Sequence, residues 1–329
     1  MLLLIIKRMA NAIFVILAVS LLAFTIFKFL GDPVQLMLNP QATQQERDQL
    51  TERLGLNDPV PVQFAKFVFN AARGEFGMSY RNQMPVMEVI AQRFPATFEL
   101  VLVSSVMALL IGLPLGVFAA IRGGTVMARV FHLISMIGVS VPAFVIGILL
   151  ILVFSIELKW LPAFGRGKVV DLGFWTTGFL TPSGRAALVM PSISLALFQI
   201  SFIMRLVTAE MLEVLRTDFI RFAKARGLKA RAIYFRHGLR NCMMPVVTMT
   251  GMLIGDLIAF TLVTEIVFQW PGMGFLFVQS VQYVDIPVMA AYLMIVCCIF
   301  ITINLIVDLI YVVVDPRVDQ LVRGGGNGH

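Results

Sequence analysis

Acidic residues inside long apolar runs are the first groups in this sequence that could do chemistry. Asp256 and Asp308 each sit where almost every neighbour is hydrophobic. An ionisable group in such a setting is expensive to keep and is a functional candidate by default. Two such acids could share a proton and activate water, which is the chemistry of an intramembrane aspartyl protease. That class places its acids in a Tyr-Asp step and a Gly-x-Gly-Asp turn. Here Asp256 follows Leu253-Ile254-Gly255 and Asp308 follows Val307, so neither pattern is present. Asp256 is then read as a polar contact with a neighbouring helix or as part of a cavity wall, and Asp308 as structural. Glu265 leaves two readings open: a carboxylate reaching the membrane interface, or a gate or inter-subunit contact.

Other reactive residue types lack partners at useful spacing. His132 and His237 have no acid or cysteine placed for catalysis. The 3 cysteines, Cys242, Cys297 and Cys298, lie in or beside apolar runs, have no metal-ligand spacing, and read as small core residues. The Gly167-Lys168 step is followed by Val169, and Pro162 stands where a phosphate-binding loop needs its first glycine. No catalytic residue, metal site or bound cofactor is expected of this chain. Any energy must come from another one.

The elements that would carry these residues follow from composition. Of 329 residues 59% are hydrophobic and 14% charged, with a mean hydropathy of +0.89. Soluble domains are closer to a quarter charged, so the solvent here is lipid. The net charge of +7 sets orientation in a bilayer and does not indicate nucleic acid. Residues 1–30 form a cytoplasmic end and an uncleaved first span, since the apolar run is long for a signal peptide and no small-x-small cleavage site follows. Residues 31–95 carry both charge signs and turn formers, so they read as an extramembrane insertion, with a helix over Gln44 to Leu54. Residues 96–314 form a core with five further spans: Ala96–Ile121, Val130–Ile156, Ala186–Leu206, Met243–Phe268 and Val288–Val314. Gly112, Pro114 and Gly116 should loosen the second span. Trp160 and Trp175 are candidate interface anchors. Residues 315–329 are a tail. The expected fold is an all-α membrane protein with six transmembrane helices.

Lysine and arginine collect on the side of the termini: Lys7, Arg8, Arg122, Arg129, the run over 207–240, Arg317 and Arg323. The positive-inside rule therefore puts both termini and that run in the cytoplasm. The outer loop with Lys159, Arg166, Lys168 and Arg185 is a mild exception.

The basic run itself reads as two short helices around a turn. Asp218 suits a helix N-terminus, and Gly227 is placed to end the helix in a left-handed conformation. Phe219, Phe222, Ala223 and Arg226 share a face at helical spacing. One reading is a helix lying on the lipid surface. The small residues Ala223, Ala225 and Gly227 favour the other, in which a partner protein's backbone comes close.

The run resembles the cytoplasmic coupling loop of binding-protein-dependent ABC importer permeases, in the first-permease type of the peptide/nickel branch. Phe219, Ile220, Arg221, Ala223, Ala225, Gly227 and Leu228, then His237, Leu239, Arg240, Asn241 and Pro245, follow that branch's pattern. The general importer motif begins Glu-Ala-Ala, and Arg221-Phe222-Ala223 stands there instead. Collinear stretches support the resemblance: Arg93 to Leu100, Gly138 to Phe144, Thr264 to Gly274, Asn304 to Tyr311, Gly55 to Pro59 and Gly74 to Ser79.

The resemblance implies a type I importer permease in a bacterial inner membrane. It implies a second homologous permease, two ABC ATPases carrying ATP and Mg, and an extracytoplasmic binding protein that delivers peptides or related solutes. Asp218 through Leu228, with Lys224 and Arg226 as charged contacts, would dock on an ATPase. His237, Arg240, Asn241 and Pro245 would support them. Trp270-Pro271-Gly272-Met273-Gly274 reads as a re-entrant or scoop-like outer loop, and Trp270, Pro271 and Gly272, with Asp256 and Glu265, are candidate gate or cavity residues. A self-sufficient secondary transporter or channel is the main alternative.

Overall fold

Hydrocarbon offers no hydrogen bonds, so a chain this apolar must satisfy its backbone internally, and a helix does so within one segment. The computed structural model describes residues 2–29, 34, 43–53 and 56–314. The tail expected over 315–329 lies outside the described residues, as do Leu54 and part of the insertion. The Asp308 side chain also lies outside them.

In chain order the helices are α1 (Leu2–Phe29), α2 (Gln44–Arg53), α3 (Val60–Ala72), α4 (Val86–Ile121), α5 (Val126–Ser140) and α6 (Ala143–Leu150). A π-helical segment, Ile151–Glu157, prolongs α6, and a small hairpin pairs β1 (Val170–Asp171) with β2 (Thr176–Thr177). Then come α7 (Pro182–Arg216), α8 (Asp218–Ala225), a second π-helical segment (Ala232–Leu239), α9 (Arg240–Val267), α10 (Met273–Gln282) and α11 (Ile286–Val314). Among the described residues five helices are long and apolar enough to cross a bilayer, and there are six spans if the bent α5–α6 pair counts as one.

The third span departs from expectation. Val126–Ser140 and Ala143–Glu157 meet at 106°. Pro142 explains the break: it cannot donate to the preceding turn, and it disfavours helical backbone at Val141, which is extended at φ −92°, ψ 124°. Gly112, Pro114 and Gly116 do not loosen α4, which runs unbroken for 36 residues.

The described chain divides into two compact units, residues 1–96 with 271–301, and residues 97–270 with 302–329. In the first unit Val86, Val89, Ile90, Met273, Leu276, Val288, Ala291 and Tyr292 form the core. Ala23 of α1 packs with Ala290 and Met294. Asp285, 1% exposed, ties down a loop of the insertion: it accepts from Ser79 Oγ, from Tyr80 N at 3.1 Å and from Arg81 N at 3.4 Å. Burial, with the Asp285 charge adding to it, pushes the Tyr80 phenol up from its ordinary value.

The second unit is built around α7, whose most apolar stretch is 67% buried against 33% for the stretch containing α9. It packs on α5, α6 and α9. With α4 it shares a core of Ala108, Val117, Ala120, Ile203, Val207 and Met211. Glycines make this closeness possible. A Cβ on Gly116 would stand 2.7 Å from the Met204 carbonyl oxygen, and one on Gly138 would collide with Ser201 Oγ. Small residues at helix contacts are how membrane helices gain close packing without a hydrophobic driving force. Gly138→Leu should therefore destabilise the protein by about 1–3 kcal/mol through overpacking, read as a lower unfolding temperature in detergent, whereas the same change at open Gly124 should leave it unmoved.

Candidate functional site

Thr217 ends α7 and begins α8 with no loop between them. Its hydroxyl does not cap α8; it donates back to the Val214 carbonyl at 2.7 Å. Asp218 supplies the negative charge that suits the N-terminus of α8 and forms an exposed pair with Arg221 at 3.1 Å. The far end closes as expected. Gly227 has φ +73°, its N–H donates to the Lys224 carbonyl at 3.0 Å, and the Leu228 N–H donates to the Ala223 carbonyl at 3.3 Å. This pair of bonds needs a left-handed residue, which glycine adopts without a Cβ penalty.

The two faces of α8 differ sharply. Ile220 and Ala223 are 0% and 4% exposed, while Phe219 and Phe222 are 49% and 65% exposed. Ala223 is thus a correction: it does not share the outward face with Phe222, because it is packed inward on this chain's own elements. Arg221, Lys224, Ala225, Arg226, Gly227 and Leu228 are all exposed. Arg226 lies over the Phe222 ring at 5.7 Å, and Phe219 meets the His237 ring edge-on at 5.5 Å.

His237 belongs to the π-helical segment that runs without interruption into α9, so Ala232–Val267 is one 36-residue helix. The expected boundary at Met243 is absent. Asn241 Nδ2 donates to the His237 carbonyl at 2.6 Å. Pro245 sits inside α9, where it cannot donate to the Asn241 carbonyl. Arg240 is exposed.

Further along α9, Asp256 lines a half-open cavity of about 410 Å³. Its wall also includes Ser140 and Pro142 from the α5–α6 break, Gln199 and Phe198 from α7, and Phe260 from α9. The cavity-wall reading of Asp256 therefore matches its position. Glu265 does not reach an interface: it is 0% exposed, and Thr97 Oγ1 donates to its Oε1 at 2.6 Å. Trp270 is 1% exposed and its N–H donates to the Glu265 carbonyl at 2.8 Å. Pro271 and Gly272 lead into the short helix α10, with Gly272 buried at its N-terminus.

A second buried carboxylate was not singled out by its surroundings. Arg166 Nη2 donates to Glu99 Oε2 at 2.7 Å, with side chains 7% and 2% exposed. The guanidinium also donates to Thr176 Oγ1 at 3.0 Å and to the Thr176 carbonyl at 2.7 Å. Glu99 stands within an apolar span, so the rule that flagged Asp256 could have found it. The pairing also removes Arg166 as an exception to the charge bias, because its charge is spent inside the protein. Trp175 packs edge-on against Phe98 at 5.5 Å, whereas Trp160 is 69% exposed. No group of three or more metal-capable side chains occurs among the described residues.

Comparison with known proteins decides the family. The model described as binding-protein-dependent transport system inner membrane component matches residues 112–320, and that for the N-terminal part of such membrane components matches residues 1–101. The chain belongs to this family. It is a non-catalytic, multi-pass permease subunit of an ABC importer in the inner membrane, and the protease and self-sufficient carrier readings fall with that membership. The oligopeptide transport system permease AppB of Bacillus subtilis (strain 168) is 39% identical over 317 residues, 96% of this chain and 98% of that protein. The dipeptide permease DppB of Alkalihalophilus pseudofirmus is 34% identical over 325 residues, 95% and 98%. The glutathione permease GsiC of Escherichia coli (strain K12) is 37% identical over 315 residues, 95% and 98%. A chain of the MetNI methionine ABC transporter, solved in inward-facing conformations, shares the fold at TM-score 0.55 and 21% identity, over 70% of this permease and 97% of that chain.

Breaking a buried ion pair from one side leaves an uncompensated charge, which costs about 3–5 kcal/mol, whereas replacing both partners by apolar residues is near neutral. Arg166→Met should thus lower the unfolding temperature of the permease in detergent strongly, and Glu99→Met with Arg166→Met should recover most of the loss.

Proposed function

We propose that this permease pairs with a second, homologous permease to form the path for peptides or related small solutes, and that α8 is the element through which ATPase motion enters. Two ATPases would bind ATP and Mg below, and an extracytoplasmic binding protein would deliver solute above. Both termini and α8 then lie on the cytoplasmic side, as the lysine and arginine bias requires. The peptide assignment is supported by the transport systems named for the relatives that cover nearly its whole length.

The observation that carries the coupling role is the division of α8 into two faces. Buried Ile220 and Ala223 fix the helix to its own chain. Exposed Phe219 and Phe222, with Arg221, Lys224 and Arg226, offer aromatic and cationic groups to a partner. Aromatic and arginine side chains are the groups most often found at the energetic centre of protein interfaces. A lipid-surface helix would instead keep its apolar face outermost and its charges opposite; here the exposed apolar and cationic residues are interleaved. Gly227 ends the helix within reach of the partner without adding bulk.

Energy input works by differential binding: a partner that holds α8 differently in its ATP-closed state shifts the permease between two arrangements. Phe222→Asp should leave insertion intact and reduce substrate-stimulated ATP hydrolysis by about tenfold or more. Impermeant thiol reagent should reach Lys224→Cys only from the ATPase side. Normal coupling in Phe222→Asp would contradict the docking assignment.

A further inference from the structure

The cavity at the α5–α6 break contains an ionisable group that the fold does not use. Asp256 makes no hydrogen bond or ion pair with any described residue. It is exposed in the chain, yet it sits well inside a 36-residue apolar helix. The cavity around it is mostly hydrophobic, with Pro142, Phe198 and Phe260 among its walls. The other polar groups there are few. Gln199 has its amide NH₂ committed to the Leu253 carbonyl at 2.7 Å. Ser140, at the end of α5, has a hydroxyl without a partner among the described residues.

An unpaired carboxylate at membrane depth is costly, and such groups pair with one another, with backbone or with what passes by. This one has no counter-charge among the described residues, and it borders a space of about 410 Å³, within the size range of small-molecule sites. We propose that Asp256 is a specificity-determining residue of the path, which receives the ammonium group of a passing peptide, with the Ser140 hydroxyl as a second acceptor. The apolar walls would take the side chains without discriminating among them. One carboxylate in an apolar chamber favours substrates with a free cationic amine over those in which it is blocked. Because the chamber is bounded by the break, α7 and α9, it also adjoins the two helices that flank α8. The proposal rests on the transport reading given above.

The test uses the assembled transporter in proteoliposomes, with its binding protein and ATP, given trialanine or N-acetyl-trialanine with the binding protein saturated. Asp256→Asn should lower trialanine uptake about tenfold, the worth of one hydrogen-bonded charge, while N-acetyl-trialanine uptake stays within about twofold. Asp256→Glu should restore trialanine uptake. Equal losses for both substrates, or no loss for either, overturn the proposal. If Asp256→Asn also releases the second permease on purification, the carboxylate pairs between subunits and the proposal is overturned. If the native complex itself takes up neither tripeptide with ATP, the transport reading fails and carries this proposal with it.

Discussion

Close contact between α7 and its neighbours is the constraint on which the second unit depends. Gly112, Gly116 and Gly138 bring α4 and α5 against the backbone and short side chains of α7. Close-packed protein interiors have low compressibility and transmit strain. Because Thr217 is shared by α7 and α8, no flexible linker lies between the packed column and the exposed helix. The long helix from Ala232 to Val267 begins beside α8, through the Phe219–His237 contact, and ends beyond the cavity. A push on α8 therefore reaches the cavity walls through two helices.

Away from α8 this unit is held differently. There the contacts are polar and buried: Glu99 with Arg166, and Glu265 with Thr97. Each joins α4 to a different segment, the loop after α6 in one case and the end of α9 in the other. Buried polar contacts tolerate little change in geometry, because an unsatisfied group in a dry setting is costly. The result is one end fixed by specific bonds and a middle section where the α5–α6 break leaves space. Helical backbone is interrupted within membrane proteins where it lines a cavity, and the residues at this break line one.

Much of this was legible in the sequence. The basic run and its Gly227 stop could be read from charge, spacing and turn chemistry, whereas the unbroken helix through Met243 could not. The inward turn of Ala223 could not, since Ile220–Ala223 and Phe219–Phe222 are adjacent apolar stripes and periodicity does not say which one meets the chain's own core. Pro142 was visible, but a proline kink and a 106° break look alike in sequence. The burial of Glu265 was not legible, because its hydrogen-bond donor Thr97 lies 168 residues away. Arg166 was counted as a surface charge for the same reason: its partner is remote in the chain. Local signals were sufficient for most helices and for the Gly227 stop, and they were silent where long-range pairing sets burial.

Rigid coupling between α8 and the cavity wall is the central point, and an intramolecular distance reads it most directly. Spin labels at Lys224 on α8 and Met252 on α9, both exposed positions, would be measured in the assembled transporter before and after ATP-driven closure. A rigid link predicts a distance unchanged to within about 2 Å as the ATPases close, whereas a shift of about one helical turn, roughly 5 Å, would mean that α8 moves independently of the helix it is supposed to drive.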